Sequence, residues 1–325
     1  VGAEELTPNR FLIATGVEPR ELGIPGEELL ATSTAFLELD TLLGRVLFVG
    51  GGQVSFEFAH IAARAGAAVT IAQRGKLALR AFDPDLVQER VAASEEIGIR
   101  VHTETEITAI ERRDGHLAAR SGRGEEFEAD LVVHGAGRAP AIGALDLAAG
   151  EVAFDPARGV RVNEYLQSTS NPRVYAAGDA ADTRGRPLTP VAVHEWLIAT
   201  SNLLQGNHKT PDCTGTPSVA FTLPALARAG LSEEEARVQG LDFEVNMQRT
   251  SGWFTARRTR EEHAASKLLI ENGSGRILGA HLLGMNAGDV IDMFALAIRH
   301  GLTSRDLKTS VLVHPAAASD VVNMV

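Results

Sequence analysis

A glycine triplet, Gly50-Gly51-Gly52, joins an apolar run at residues 46–49 to a helical pattern over residues 52–66, and a second apolar run follows at 68–71. With Ser55, the triplet gives the spacing Gly-x-Gly-x-x-Ser. The first glycine permits a tight turn, the second lets a pyrophosphate approach the backbone, and Ser55 keeps the third position small enough for helix–strand packing. Free amides at the helix N-terminus then attract the phosphates. The sequence therefore predicts a Rossmann-like unit that binds a dinucleotide, with an ordinary tight loop as the alternative.

The residues after the second strand bear on which nicotinamide cofactor binds. NAD enzymes usually carry an acid there to hold the ribose 2′-hydroxyl, whereas an arginine accommodates the 2′-phosphate of NADP. This chain has Gln73 at that position, followed by Arg74 and then by Arg80. A guanidinium binds a phosphate as a fork. NADPH is therefore favoured over NADH; NADH stays an alternative, and so does the interpretation that both arginines are solvated surface residues.

Charge and cysteine content exclude several classes of protein. The 325 residues include 31 Lys+Arg and 42 Asp+Glu, a formal net charge of −11, which argues against nucleic acid or an anionic membrane as partner. No apolar run approaches the roughly 18 residues of a membrane-spanning helix. Cys213 is the single cysteine, which excludes an intrachain disulfide or a cysteine zinc site, and no other pattern indicates a metal. We expect a cytoplasmic protein in which Cys213 is incidental.

The remaining chain is divided by glycines and prolines. An apolar run at residues 11–14 ends abruptly in Thr15-Gly16, a strand is predicted at 174–177, and a helix is predicted from about 190 to 204. A polar linker covers 205–216. Strands clustered ahead of a helix favour an α+β domain after the linker; they are predicted at 218–222, 243–248, 266–271 and 277–283, with the helix near 287–300.

Six segments in this order resemble the pyridine nucleotide–disulfide oxidoreductases, a group that includes glutathione reductase, mercuric reductase and dihydrolipoamide dehydrogenase. They are Ala14-Thr15-Gly16, Gly50 to Glu57, Gly135-Ala136-Gly137-Arg138-Ala139-Pro140, Val174-Tyr175-Ala176-Ala177-Gly178-Asp179, Leu188-Thr189-Pro190-Val191-Ala192 and His314-Pro315. The segment from Thr216 to Pro224 also resembles the first strand of the family's dimerisation domain.

The resemblance implies an α/β fold with three parts: a three-layer ββα Rossmann-like nucleotide-binding domain, a partial FAD domain, and a C-terminal α+β dimerisation domain. It implies that residues 1–24 end the FAD-binding domain, 25–141 bind NAD(P), 142–212 continue the FAD-binding domain, and 213–325 form a homodimer interface. Residue 1 would then lie late in the first domain, so that roughly the first third of the usual enzyme is absent.

The resemblance also assigns roles to single residues. It implies that Asp179 accepts hydrogen bonds from the ribityl hydroxyls of FAD and that residues 188–191 line the flavin. Glu57 would lie near the contact between nicotinamide and flavin. His314 would be the catalytic histidine, which handles protons during thiol–disulfide exchange. The predicted cofactor-binding residues are Thr15, Gly16, Gly50, Gly52, Gln53, Val54, Ser55, Glu57, Gln73, Arg74, Arg80, Gly137, Arg138, Gly178, Asp179, Leu188, Thr189, Pro190 and Val191.

Three departures from the family pattern affect the predicted chemistry. The first FAD-binding Rossmann unit and the Cys-x4-Cys pair do not occur in these residues. The family's acid that pairs with the histidine is replaced by Ser319, and Asp320 lies one residue too far along. Gln53 stands where glutathione reductase has a tyrosine that gates the nicotinamide pocket. The alternative for His314 is a structural role, as a histidine that caps the turn before the last helix.

The resemblance therefore implies a flavoprotein oxidoreductase that passes hydride from NADPH, or NADH, to FAD and on to a thiol/disulfide or other small-molecule acceptor. Two alternatives stay open: a reductase of quinone, oxygen or a metal ion on the same fold, and a flavin-free fragment that binds nucleotide or serves in dimerisation. For His194-Glu195, a surface position is expected rather than a proton relay.

Overall fold

A computed structural model describes residues 7–325; residues 1–6, the start of the predicted segment 1–24, lie outside the described residues. The strands are β1 Phe11–Ile13, β2 Val17–Pro19, β3 Arg45–Val49, β4 Ala68–Ala72, β5 Arg100–His102, β6 Ile107–Arg113, β7 His116–Ser121, β8 Glu126–Ala129, β9 Leu131–His134, β10 Arg138–Pro140, β11 Phe154–Asp155, β12 Gly159–Arg161, β13 Val174–Ala176, β14 Ala181–Asp182, β15 Ser218–Ala220, β16 Ala225–Gly230, β17 Phe243–Arg249, β18 Ala265–Glu271 and β19 Ile277–Gly284. The helices are α1 Ser33–Leu37, α2 Gln53–Arg64, α3 Pro84–Glu96, α4 Thr189–Gln205, α5 Glu233–Val238, α6 Phe254–Thr259, α7 Ala287–His300, α8 Ser304–Lys308 and α9 Val321–Met324.

The described chain forms two compact units. The smaller unit contains residues 7–20 and 138–213, and the larger unit contains residues 21–137 and 214–325. The finer division into four segments at 24/25, 141/142 and 212/213 stays a prediction. Among residues 7–325, no helix is both long and apolar enough to cross a bilayer.

The nucleotide-type part of the larger unit has the three layers that were predicted. Its parallel sheet runs in the order β5-β4-β3-β9. Val46 and Phe48 of β3 face the core formed with α2 and α3, whereas Leu47 and Val49 face the antiparallel sheet β6-β7-β8. Because both faces are covered, β3 reads as an unbroken apolar run, as buried parallel strands do.

The C-terminal part of the larger unit is the predicted α+β structure. Its antiparallel sheet runs β15-β16-β19-β18-β17, and α7 packs the helical stripe Val290, Ile291, Phe294 and Ala297 onto it. One central strand was not predicted. Residues 225–230 read Ala-Leu-Ala-Arg-Ala-Gly and contain no β-branched residue, so burial between β15 and β19, rather than strand propensity, makes them β16.

The smaller unit is built from short pairings around one long helix. β1 pairs in parallel with β13, β2 pairs antiparallel with β10, and β12 lies between β11 and β14. Helix α4 buries Val191, Ile198 and Ala199. The predicted strand at 174–177 and helix at 190–204 are both present, each within one residue of its predicted bounds.

Candidate functional site

The glycine loop lies between β3 and α2 and is shaped by close backbone approaches. Gly50 has φ +101°, and a Cβ atom there would overlap the main chain of Gly135. Its amide donates to the Ala72 carbonyl at 2.8 Å, which fixes the turn against β4. Only glycine fits this conformation and this contact.

The start of α2 leaves backbone donors available beside the loop. Gly52 is the N-cap residue and supplies no capping side chain. The first-turn amides of Gln53, Val54 and Ser55 therefore have no acceptor within the helix. With the positive end of the helix dipole, these amides form a ready anion site.

Ser55 is fully buried against Gly135, the residue that follows β9. A Cβ atom on Gly135 would overlap the Ser55 hydroxyl, so a serine is accommodated only because residue 135 is glycine. This is the close packing that the third position of the motif requires. That residues 50–55 bind a dinucleotide stays a prediction.

The segment after β4 carries the two predicted phosphate ligands. Both Arg74 and Arg80 are exposed, and the Arg74 guanidinium lies 3.6 Å from the Glu106 carboxylate. Gln73 does not project freely beside them. Its Oε1 accepts a hydrogen bond from the Gly51 amide at 2.8 Å, so it buttresses the glycine loop.

Gln53 and Glu57 connect α2 to the C-terminal sheet, a contact that sequence reasoning missed. Gln53 Nε2 donates to the Val219 carbonyl at 2.6 Å and to Glu57 Oε1 at 3.1 Å. The same Glu57 oxygen accepts from the Phe221 amide at 2.8 Å. The partners lie more than 160 residues apart along the chain, and no local sequence signal indicated them. Gln53 is thus held in place by two acceptors.

Gly178 and Asp179 lie in the smaller unit, where the chain turns after β13. Gly178 has φ +66°, and a Cβ there would lie 2.9 Å from the Ala192 Cβ atom of α4. The Asp179 carboxylate is largely buried, and the Arg138 guanidinium lies 3.7 Å from it. Asp179 and Arg138, predicted as separate cofactor residues, are therefore neighbours. Gly137 precedes Arg138 with φ +108°.

Glu195 corrects the expectation that His194-Glu195 lies on the surface. His194 is half-buried, whereas Glu195 is only 1% exposed. Its Oε2 accepts the Gly178 amide at 2.9 Å, and burial raises the pKa of this carboxyl. A signal was present, because Glu195 follows Val191 by four residues and precedes Ile198 by three, which is the buried stripe of α4.

The start of α4 and the Thr15-Gly16 turn complete the predicted flavin segments. Leu188 is the extended N-cap residue, and Pro190 occupies the first turn of α4, where its missing amide costs nothing. Gly16 has φ +71° with open space at its Cβ position, and its carbonyl accepts from the Ala141 amide at 2.9 Å. Thr15 directly precedes it.

His314 lines an open cleft of about 660 Å³ in the larger unit, together with Trp253, Phe254 and Asp320. Its ring centroid lies 5.9 Å from that of Phe254. The two residues weighed as partners bond elsewhere. The Ser319 hydroxyl donates to the Ala316 carbonyl at 2.7 Å, and the Asp320 carboxylate accepts from the Thr255 hydroxyl.

Cys213 is half-buried at the end of the smaller unit.

The donor sets fit the two cofactors that the pattern implies. In the larger unit, free helix amides and the arginines of the next loop suit the pyrophosphate and an added phosphate. In the smaller unit, the Asp179 carboxylate suits polyol hydroxyls, and glycine at residue 178 leaves no side chain between the turn and α4.

Comparison with known proteins gives family matches over most of the chain. The family described as pyridine nucleotide-disulphide oxidoreductase matches residues 1–195, and its dimerisation domain matches residues 216–325, which supports homodimer formation. Members of this family are flavoprotein NAD(P)H-dependent oxidoreductases, and its glutathione and mercuric reductases use FAD and NADPH.

Individual relatives cover different shares of the chain. An uncharacterized 19.7 kDa protein in a mercuric resistance operon of Staphylococcus aureus is 49% identical over 166 residues, 51% of this chain and 92% of that protein. A glutathione reductase of Burkholderia cepacia is 31% identical over 324 residues, 100% of this chain and 72% of that protein.

A solved structure shares the whole fold. The Cu(II) complex of the HOCl-induced flavoprotein disulfide reductase RclA from Escherichia coli matches with a TM-score of 0.89 at 25% identity, over 97% of this chain and 73% of that one. Motif order, site geometry and these matches together lead to one conclusion: the chain belongs to the pyridine nucleotide-disulphide oxidoreductase family.

Proposed function

We propose that this chain binds NADPH in its larger unit and contributes to an FAD site in its smaller unit, as part of a homodimeric oxidoreductase that delivers the electrons to a disulfide or another small acceptor. The observation that carries the proposal is the glycine loop with its free α2 amides, followed by a loop that bears Arg74 and Arg80. NADH is the weaker alternative, because no carboxylate follows β4 at residues 73–74 to hold a ribose 2′-hydroxyl.

In the larger unit, each part of the nucleotide would meet a different kind of donor. The amides of residues 53–55 would hold the pyrophosphate, and Arg74 and Arg80 would hold the 2′-phosphate. The Arg74 guanidinium, which lies beside the Glu106 carboxylate, would bind the phosphate instead. A phosphate carries more charge than a carboxylate and can accept the same pair of hydrogen bonds.

In the smaller unit, Asp179 would accept hydrogen bonds from the ribityl hydroxyls, and the backbone of residues 188–191 would line the ring. Thr189 and Val191 would supply amides there, whereas Pro190 has none. When bound, FAD supplies a two-electron acceptor for hydride. Glu195 holds the Gly178 amide, so it would keep the turn that carries Asp179 in position. Thr15 and Gly16 would leave room for the cofactor at the end of β1.

His314 is the proposed catalytic residue for a disulfide acceptor, on the cleft surface near Phe254. Its departure from the family pattern favours a second candidate. Because Ser319 and Asp320 bond elsewhere, the imidazole lacks the orienting acid that proton transfer to a leaving thiolate uses. Reduction of a metal ion consumes no proton, and reduction of a quinone or of oxygen, which takes up two protons, releases no thiolate for His314 to protonate. The first relative reported above takes its name from a mercuric resistance operon.

A flavin-reduction experiment tests the proposal. The purified chain, supplied with FAD, is mixed anaerobically with NADPH or NADH while flavin absorbance is followed. Bleaching that is faster with NADPH is expected. Absence of bleaching with both nucleotides, together with retained nucleotide binding, would instead establish the flavin-free fragment.

A matched pair of variants separates loss of a 2′-phosphate ligand from the general effect of removing one surface positive charge. Arg74→Ala removes an exposed guanidinium 3.6 Å from Glu106, and Arg123→Ala removes one 3.9 Å from Glu104. Only Arg74→Ala should slow reduction by NADPH, and neither should affect NADH. The acceptor is then assigned with His314→Gln: a large loss of disulfide turnover supports the first candidate, and unchanged turnover of a quinone or metal ion supports the second.

A further inference from the structure

The side-chain amide of Gln73 bridges two loops of the larger unit. Its Oε1 accepts from the Gly51 amide at 2.8 Å, and its Nε2 donates to the Leu77 carbonyl at 3.2 Å. Gly51 is in the glycine loop, and Leu77 lies midway between Arg74 and Arg80 along the chain. One side chain therefore ties the proposed pyrophosphate segment to the proposed 2′-phosphate segment.

The chemistry at residue 73 selects glutamine. The site requires an acceptor toward Gly51 and a donor toward Leu77, and a carboxamide provides one of each. A glutamate would keep the Gly51 bond but place a second acceptor against the Leu77 carbonyl. An alanine would lose both bonds. The side chain also contacts the glycine loop closely, since a Cβ on Gly51 would lie 3.0 Å from the Gln73 Cβ.

Further hydrogen bonds hold the loop after β4, which carries Arg74 and Arg80. The Leu79 amide donates to the Gly51 carbonyl at 2.8 Å, with Leu79 buried to 2% exposure at φ +47°. Arg228 of β16 donates to the Ala81 carbonyl at 2.6 Å. Arg74 and Arg80 thus extend from a backbone that is fixed before any ligand arrives, and a preorganised loop loses less entropy on binding.

We propose that Gln73 is a positioning residue for the 2′-phosphate and thereby helps set a preference for NADPH over NADH. It acts through the Gly51 amide and the Leu77 carbonyl, which fix the spacing of the arginines relative to the glycine loop, and it does not bind the phosphate itself. The inference rests on the proposed nucleotide site. It adds a residue whose substitution changes nucleotide choice without removing a positive charge.

Calorimetric titration of the purified chain with 2′,5′-ADP and with 5′-AMP tests it, because these ligands differ in the 2′-phosphate. Gln73→Ala should weaken 2′,5′-ADP about tenfold, as expected for loss of net hydrogen bonding worth about 1.4 kcal/mol. It should weaken 5′-AMP by less than about threefold, since the glycine loop keeps its bonds to Ala72 and Leu79.

Gln73→Glu should weaken 2′,5′-ADP more than Gln73→Ala does, because it adds a like charge near the phosphate while keeping the Gly51 bond. Gln88→Ala, on the exposed face of α3, is the matched control and should change neither constant. Circular dichroism of each variant checks that the fold is retained.

The outcomes separate this inference from the proposal beneath it. If the unsubstituted chain binds neither ligand, the nucleotide site is wrong and the inference falls with it. If Arg74→Ala loses 2′,5′-ADP while both Gln73 variants keep the original ratio of the two dissociation constants, the nucleotide site stands and Gln73 has no positioning role. Equal weakening of both ligands by Gln73→Ala also overturns the inference, since it would show a general effect on the glycine loop.

Discussion

Lys267 is a buried cation whose removal should strongly destabilise the larger unit. Its side chain, on β18, is 4% exposed, and its Nζ lies 3.0 Å from Asp83, 2.7 Å from Asp85 and 2.8 Å from Glu233. Burial alone would lower the pKa of this amine, but the three carboxylates together raise it. The lysine therefore stays charged across the working pH range.

The cost of Lys267→Met is set mainly by Asp83. That carboxylate is 1% exposed, so water cannot replace the lost ammonium, whereas Asp85 and Glu233 remain partly solvated. Leaving one buried charge without its partner costs about 3–5 kcal/mol. The second substitution Asp83→Asn should recover part of this, because asparagine carries no charge and still caps α3 as Asp83 does.

Urea unfolding followed by tryptophan fluorescence measures the effect. The chain has two tryptophans, and in a Trp196→Phe background Trp253 reports on the larger unit alone. Lys308→Met, an exposed lysine of α8, serves as control and should change stability by less than about 0.5 kcal/mol. A loss below about 1 kcal/mol for Lys267→Met, or a double variant no more stable than the single one, would refute the reasoning.

Three further predictions concern other groups that are buried or half-buried. Burial lowers the pKa of His60 to about 3 and that of His281 to about 4. Below about pH 6.5 the unfolded chain therefore binds more protons than the folded chain does. As the pH is lowered from 6.5 to 5, each histidine should reduce the free energy of unfolding by about 1.5 kcal/mol. His281→Asn should flatten that part of the curve of urea midpoint against pH, and an unchanged slope would contradict the assignment. Glu195→Ala should release the Gly178 amide and raise the FAD dissociation constant about tenfold, whereas Glu195→Gln, which keeps an acceptor, should raise it less. The dissociation constants are measured by quenching of flavin fluorescence, and equal values for the two variants would show that the hydrogen bond is unimportant. Glu57→Gln should weaken the tie to Phe221 and lower the urea midpoint of the larger unit by an amount equivalent to about 1 kcal/mol, while exposed Glu95→Gln should leave it unchanged.

The nucleotide-type fold was predictable because its signals are local. The apolar runs of β3 and β4, the glycine spacing between them and the stripe of α2 lie within about thirty residues, as expected for one strand–helix–strand unit. By contrast, β16 has weak strand propensity and is defined by its neighbours β15 and β19. Strand propensity measures fit to a half-buried surface, so it fails where the whole residue is enclosed.

The candidate sites likewise contain residues that short sequence spacings predict and residues that depend on contacts distant along the chain. The glycines and arginines were visible because their chemistry is tied to short spacings, whereas the contacts of Gln53 and Glu57 reach Val219 and Phe221 from a distant part of the chain. Glu195 was misjudged because charged residues are usually exposed. Lys267 lies in the stretch 264–270, where the other residues are apolar except for Ser266. A lysine in this setting indicates a buried ion pair, but its partners were not identifiable from the sequence.

The two parts of the larger unit are joined by side chains that bond main-chain atoms. Arg90, fully buried on α3, donates to the Pro224 carbonyl at 2.8 Å, Glu57 accepts the Phe221 amide, and Arg228 donates in the opposite direction to the Ala81 carbonyl. Because the partners at residues 81, 221 and 224 are main-chain groups, substitutions of their side chains need not break these bonds, whereas substitution of Arg90, Glu57 or Arg228 removes one of them. The loop that carries Arg80 therefore depends for its position on a residue of the C-terminal sheet, and the nucleotide-type fold and the dimerisation domain are one structural body rather than two independent ones.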